Sequence, residues 1–119
     1  MKYAMLIYGD DSTWVDLPDE EKAALRAAEM PQWVSLFEEL GKADPNVTGK
    51  ELDGRNTAKV VRVRDGERLV TDGPFAETKE ILGGVFLVDL SDLDEAIRLV
   101  ALIPSAKDRG AIEIRPILQ

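Results

Sequence analysis

No histidine and no cysteine occurs anywhere in the sequence. Without histidine the chain lacks the one side chain whose ordinary pKa lies near neutrality, so imidazole acid–base chemistry, Ser-His-Asp triads and His-ligated zinc or iron are excluded within it. Without cysteine there are no disulfides, thiolate metal sites or thiol nucleophiles, which fits a reducing compartment. Positive charge is also scarce. Fifteen Lys and Arg face 23 Asp and Glu, a net charge of −8. Nucleic-acid binding needs a cationic surface that releases counterions from phosphates, so no nucleic-acid partner is expected.

Long apolar runs are missing as well. The first, Tyr3 to Tyr8, is stopped by Gly9-Asp10 and falls far short of a membrane span, and it lacks the small-residue cleavage pattern of a signal peptide. The expectation is a cytoplasmic protein with no membrane partner. What is present is a 45% hydrophobic fraction spread over 119 residues, enough for one compact core and too little for two ordinary domains. A single domain over residues 1–119 follows.

The patterning predicts a strand over Tyr3 to Tyr8, then a helix from Pro18, where Asp19, Glu20 and Glu21 suit the positive end of the helix dipole. Pro31 lacks the N–H an interior helical position donates, so a break or kink is expected before it, with the helix resuming from Gln32 to Leu40 and ending at Gly41. Leu36, Trp33, Phe37 and Leu40 form its apolar stripe. Val47 to Asp53 reads as a weak strand and Thr57 to Arg64 as a partly alternating one. Asp65-Gly66 is a hairpin turn that returns the chain through Glu67 to Thr71. Ile81 to Leu90 is the longest apolar run and a central strand, with Gly83-Gly84 allowing a bulge. Ser91-Asp92-Leu93-Asp94 caps a helix that runs to Ile103 and stops at Pro104, and Ile112, Ile114 and Ile117 lie in the last strand. The order β-α-β-β-β-α-β is that of an α+β protein with an antiparallel sheet and helices on one face. The other face is left open. Apolar residues there call for a cover, and a second copy across a two-fold axis supplies one, so a homodimer is expected.

Candidate site chemistry concentrates in Asp72-Gly73-Pro74-Phe75-Ala76-Glu77-Thr78-Lys79-Glu80, which carries more ionisable groups than a turn needs. Gly73 and Pro74 reverse the chain and Phe75 can anchor the loop. A carboxylate at Asp72 partly dried by Phe75 would have a raised pKa and could act as a proton carrier; Glu77 is the second candidate. The competing reading of Asp72 is an Asx-type turn cap. Arg62 is the candidate fixed cation for an anionic group, against a plain cross-strand role. Tyr8 and Trp14 are candidates for an aromatic wall at a pocket mouth, and Lys79 with Gly73, Pro74 and Phe75 for ligand contact. Glu77 and Glu80 could instead pair with Lys79, Arg55 or Arg62 as ordinary surface ion pairs. Asp10-Asp11 shows no metal-ligand spacing, and Gly83-Gly84 lacks the Lys-Ser/Thr of a phosphate loop, so neither a metal nor a cofactor is expected.

Asp72-Gly73-Pro74-Phe75 with the following Ala76 to Glu80 resembles the signature of DGPF-type proteins of the YCII-related family. Met1 to Asp10, Gly83 to Asp89 and Ile112 to Ile117 are similar to that family's first, post-motif and last strands. The resemblance implies a dimeric α+β barrel built on a ferredoxin-like unit. Some members are partners of extracytoplasmic-function sigma factors, and some have a proposed His-Asp active site, which this histidine-free chain cannot form. Three readings result: a homodimer binding a small molecule near Asp72 to Phe75, an acid–base enzyme of isomerase or lyase type using Asp72 or Glu77, and an interaction module associated with a sigma factor.

Overall fold

The computed structural model describes residues 1–119 apart from Glu77 and Arg109. Its elements in chain order are β1 (Lys2–Gly9), α1 (Asp19–Ala43), β2 (Thr48–Glu51), β3 (Lys59–Arg64), β4 (Glu67–Asp72), β5 (Ile81–Asp89), α2 (Leu93–Val100), α3 (Pro104–Lys107) and β6 (Ala111–Pro116). Four strands form one antiparallel sheet in the order β2-β5-β1-β6, and β3 and β4 form a separate two-stranded sheet. Without that hairpin the chain runs β-α-β-β-α-β with the first and third strands of the frame, β1 and β5, in the interior of the sheet, which is the ferredoxin-like arrangement. Among the described residues no closed barrel forms. The expected single sheet is therefore corrected: β3 and β4, read as sheet members, are an insertion that leaves the sheet altogether.

Alternation in β1 decides which face is core. Tyr3 and Met5 are buried and Ile7 packs behind them, opposite Phe86 and Val88 of β5 and Ile112 and Ile114 of β6. Onto these side chains α1 brings Leu36 and Leu40, and α2 brings Ala96, Leu99 and Val100, with Ile103 closing the end. Period two on the strands meets period 3.6 on the helices, and a single apolar layer results. Gly49 has a packing reason in this layer, since a Cβ there would overlap the Phe86 ring that lies across β2. The bulge expected at Gly83-Gly84 is present: Ile7 faces Gly84 while Tyr8 faces Leu82, so the register skips Gly83.

The helices differ from expectation in two places. α1 is continuous through Pro31 and past Gly41. Pro31 removes one donor, but both it and Ala27, whose carbonyl would have received that bond, are exposed, so water can satisfy the acceptor. The second difference is at Pro104, which opens a short helix at its first position, where a missing N–H costs nothing. The cap at Asp92 is as expected, its Oδ1 accepting from the Glu95 N–H at 2.9 Å. Asp44 closes α1 differently: its carboxylate accepts the N–H groups of Asn46 and Asp89, each at 2.9 Å, and ties the helix end to β5.

The outward face of the sheet is uncovered. Ala4 and Leu6 of β1 lie beside Leu87 and Val85 of β5, edged by Lys2, Lys50, Asp89, Glu113 and Arg115.

Candidate functional site

The end of β1 delivers Tyr8 and Gly9 to a loop with two adjacent acids, Asp10 and Asp11. Ser12 folds back on Asp10, donating from its N–H at 3.0 Å and its hydroxyl at 2.5 Å. These two bonds, joined by the nearby Arg55 and Lys79 charges, hold the Asp10 carboxyl below its ordinary range. Asp11 turns the other way. It accepts the Arg55 backbone N–H at 2.9 Å and an ion pair from the Arg55 guanidinium, from 44 residues further along the chain.

Arg55 then reaches a third segment. Its guanidinium donates to the carbonyls of Thr78 at 3.1 Å and Lys79 at 2.7 Å, and it pairs with Asp10 at 3.3 Å. One planar cation thus joins the loop after β1, the turn before β3 and the loop before β5, a task for which the five-donor fork of arginine is suited and lysine is not. The side chain is only 20% exposed. The sequence suggests Arg55 as a surface partner for Glu77 or Glu80, and among the described residues that expectation is corrected: its carboxylates are Asp10 and Asp11. The signal in the sequence was the pair of acids at a strand end, whose partner lies too distant to be assigned by spacing. Among the described residues no cluster suited to a metal ion occurs.

The Asp72-Gly73-Pro74-Phe75 motif closes the base of the hairpin. Asp72 is paired with Lys59, its cross-strand neighbour, and the Gly73 N–H donates to the Ala58 carbonyl at 2.8 Å. A Cβ on Gly73 would come within 2.9 Å of the Ala58 Cβ, so only glycine allows the two chains to approach so closely here. The Gly73–Pro74 peptide is cis. The guanidinium of Arg62 lies over the ring of Phe75 at 5.4 Å.

These positions change the chemistry expected of the motif. The Asp72 side chain is 84% exposed, and its carboxyl is held below the ordinary range by the hydrogen bond and charge of Lys59, whereas a raised value had been expected. Phe75 does not dry it because the ring is turned onto Arg62. Glu77 lies outside the described residues. Arg62 sits on the hairpin, engaged with Phe75, and Lys79 contributes its backbone carbonyl to Arg55.

Tyr8 and Trp14 do not form one wall. Tyr8 lies on the open sheet face opposite Leu82 and Ala111, while Trp14 lies under the cations of α1, Arg26 at 5.1 Å and Lys22 at 6.0 Å from its ring. Arg26 is itself fixed by a two-pronged pair with Glu51 of β2 at 2.6 and 3.1 Å. Beside Trp14 is a cleft of about 110 Å³ whose polar lining is Lys22, Asp53, Asn56 and Thr57. A wider groove of about 280 Å³ runs between α1 and the segment from Leu102 to the end of α3, past Ser35 and Lys107. Residues 72 to 75 line neither.

The β-α-β-β-α-β frame and its antiparallel sheet make this a ferredoxin-like α+β protein. The chain belongs to the YCII-related domain family, which matches residues 1–119. An uncharacterised protein of Rhizobium meliloti (strain 1021) is 36% identical over 121 residues, a span covering 98% of this chain and 92% of that relative.

Proposed function

We propose that the chain acts as a homodimer, joined through the open face of its four-stranded sheet, that binds a small organic anion in the cleft beside Trp14. The observation that carries the reading is the apolar centre of that face, where Leu87 is exposed and Ala4, Leu6 and Val85 are half-buried, ringed by charges of both signs. Such a patch with a mixed polar rim has the anatomy of an interface, and a two-fold axis lets it cover itself.

The ligand class follows from the cleft. Lys22 supplies a cation, Asn56 an amide donor and Trp14 an aromatic wall, while the Asp53 carboxylate disfavours a second negative charge and the Thr57 hydroxyl is taken up by the Gly54 carbonyl, a combination suited to a monocarboxylate on a small carbon skeleton. Arg55 contributes by fixing the turn that presents Asn56 and Thr57. The motif serves this site at a distance, by holding the two chains that enter and leave the hairpin.

Light scattering across a dilution series tests the first half: a dimer at micromolar concentration that dissociates with Leu6→Asp is expected, and a wild-type monomer refutes it. For the second half, Trp14 fluorescence in a Trp33→Phe background is titrated with a panel of small mono- and dicarboxylates. A saturable change lost in Lys22→Met is expected, and a flat response to the whole panel removes the ligand class.

A further inference from the structure

We infer that the β3–β4 hairpin is an arm that grips the second copy of this chain, and that the Asp72-Gly73-Pro74-Phe75 motif is the fitting that aims it. The inference rests on the dimer just proposed and adds the part of each protomer that completes it.

The hairpin buries nothing of its own. Val61, Val63 and Val70 share one face and are 59%, 61% and 56% exposed. Six paired residues form a ribbon about 20 Å long, and a two-stranded ribbon with no cover is marginal in water. The radius of gyration, 16.2 Å, exceeds the roughly 13.5 Å of a compact chain of this length, as an arm standing clear of its body requires. Three aligned valines on such an arm need a cover, and their own body does not supply it.

Interface size and charge identify the cover as a second copy. The outward sheet face presents about a dozen residues, short of the roughly 20–30 per partner in a stable complex. The six residues of the hairpin's valine face, with Asp65 and Gly66 at its tip, bring the total to about 20. Within residues 59–72 four basic residues, Lys59, Arg62, Arg64 and Arg68, face three acids, a net +1 on a chain of −8, which leaves −9 on the remainder. Two such bodies repel each other. An arm carrying the excess of cations and an apolar face is complementary to an acidic partner body and counters that repulsion.

The motif explains how the arm holds its direction. At its base the Lys59–Asp72 pair joins the two strands, the Gly73 N–H bonds Ala58, and Phe75 lies on Arg62 on the face opposite the valines. Each contact is to the hairpin itself, and on the valine face only the Lys59–Asp72 pair at the base is engaged, while Val61, Val63 and Val70 stay exposed.

Sedimentation equilibrium of wild type, Val61→Asp/Val63→Asp and Val61→Thr/Val63→Thr tests this, with circular dichroism on each. The Thr pair keeps the β-branched strand preference should the Asp pair disturb the hairpin. Both variants are expected to retain the wild-type spectrum, and the dimer dissociation constant is expected to rise by at least about tenfold for the Asp pair and less for the Thr pair. A nitroxide on Val63→Cys, the sole cysteine of that variant, is expected to be immobilised at dimer concentration and mobile on dilution. A dimer whose constant is unchanged in both variants, with a mobile label throughout, overturns the arm while leaving the sheet-face dimer standing. A wild-type chain that is monomeric at every concentration overturns both.

Discussion

The four-stranded sheet and the hairpin are made of similar residues and have opposite fates. In the sheet, alternation on β1 and β5 places every second side chain against α1 and α2, and Met5, Leu99 and Ile103 are completely buried. In the hairpin, β3 has the same valine-rich alternation, its strands are as regularly paired, and no residue is buried. Backbone pairing is thus available to both, and the difference in stability comes from what lies over the side chains. An apolar residue contributes only in proportion to the water it sheds.

The largest expected effect separates the two regions directly. Leu99→Ala removes a side chain from the closed layer and is expected to cost about 2–5 kcal/mol, a fall in Tm of roughly 4 °C for each of those kcal/mol. Val63→Ala on the arm is expected to stay within about 0.5 kcal/mol for the dilute monomer. Equal losses in chemical denaturation of the dilute protein would erase the contrast and place the hairpin inside the cooperative core.

Arg55 stands between the two regions, at the point where the hairpin leaves the body. Arg55→Lys keeps the charge and loses the fork, so Asp11 and the carbonyls of Thr78 and Lys79 cannot all be served; a loss of about 1–3 kcal/mol is expected. The same variant is expected to speed amide exchange in residues 76–80 more than in β5. Uniform acceleration across both segments would show Arg55 to be a general stabiliser and not a latch between them.

The sequence made the body legible and left the latch obscure, for a physical reason. Tyr3, Met5 and Ile7 announce a strand and its core face locally, Asp92 announces a helix start, and Asp65-Gly66 announces a hairpin by two residues that tolerate positive φ, as both have. Whether the hairpin joins the main sheet is not a local property, since Val60 to Val63 carries the same alternation in either case. The Arg55 site is equally non-local, its three segments being spread from Asp10 to Lys79. At Asp72 burial by Phe75 is the local expectation, and a cation from the neighbouring strand sets its environment instead.

The smallest expected effect concerns how the body closes, and pH reads it. Asp44 accepts backbone N–H groups from Asn46 and Asp89, and these bonds, with the nearby Lys2 charge, hold its carboxyl below the ordinary value of 3.8. A depressed carboxyl pKa means that the unfolded chain binds the proton first. The stabilisation is therefore fully present above the ordinary value and is lost as pH falls through the lower, folded-state one. Asp72 is depressed in the same sense by Lys59, and Glu95 by Arg98. Tm is expected to be level from neutrality down to about pH 5 and to decline below about pH 4. Asp44→Asn cannot take up that proton and is expected to show a shallower acid decline, whereas Asp72→Asn, altering an arm that carries no core, is expected to leave the decline of the body unchanged. If the two variants flatten the acid limb equally, the hairpin base is as much a part of the folded unit as the end of α1, and the division between body and arm does not hold.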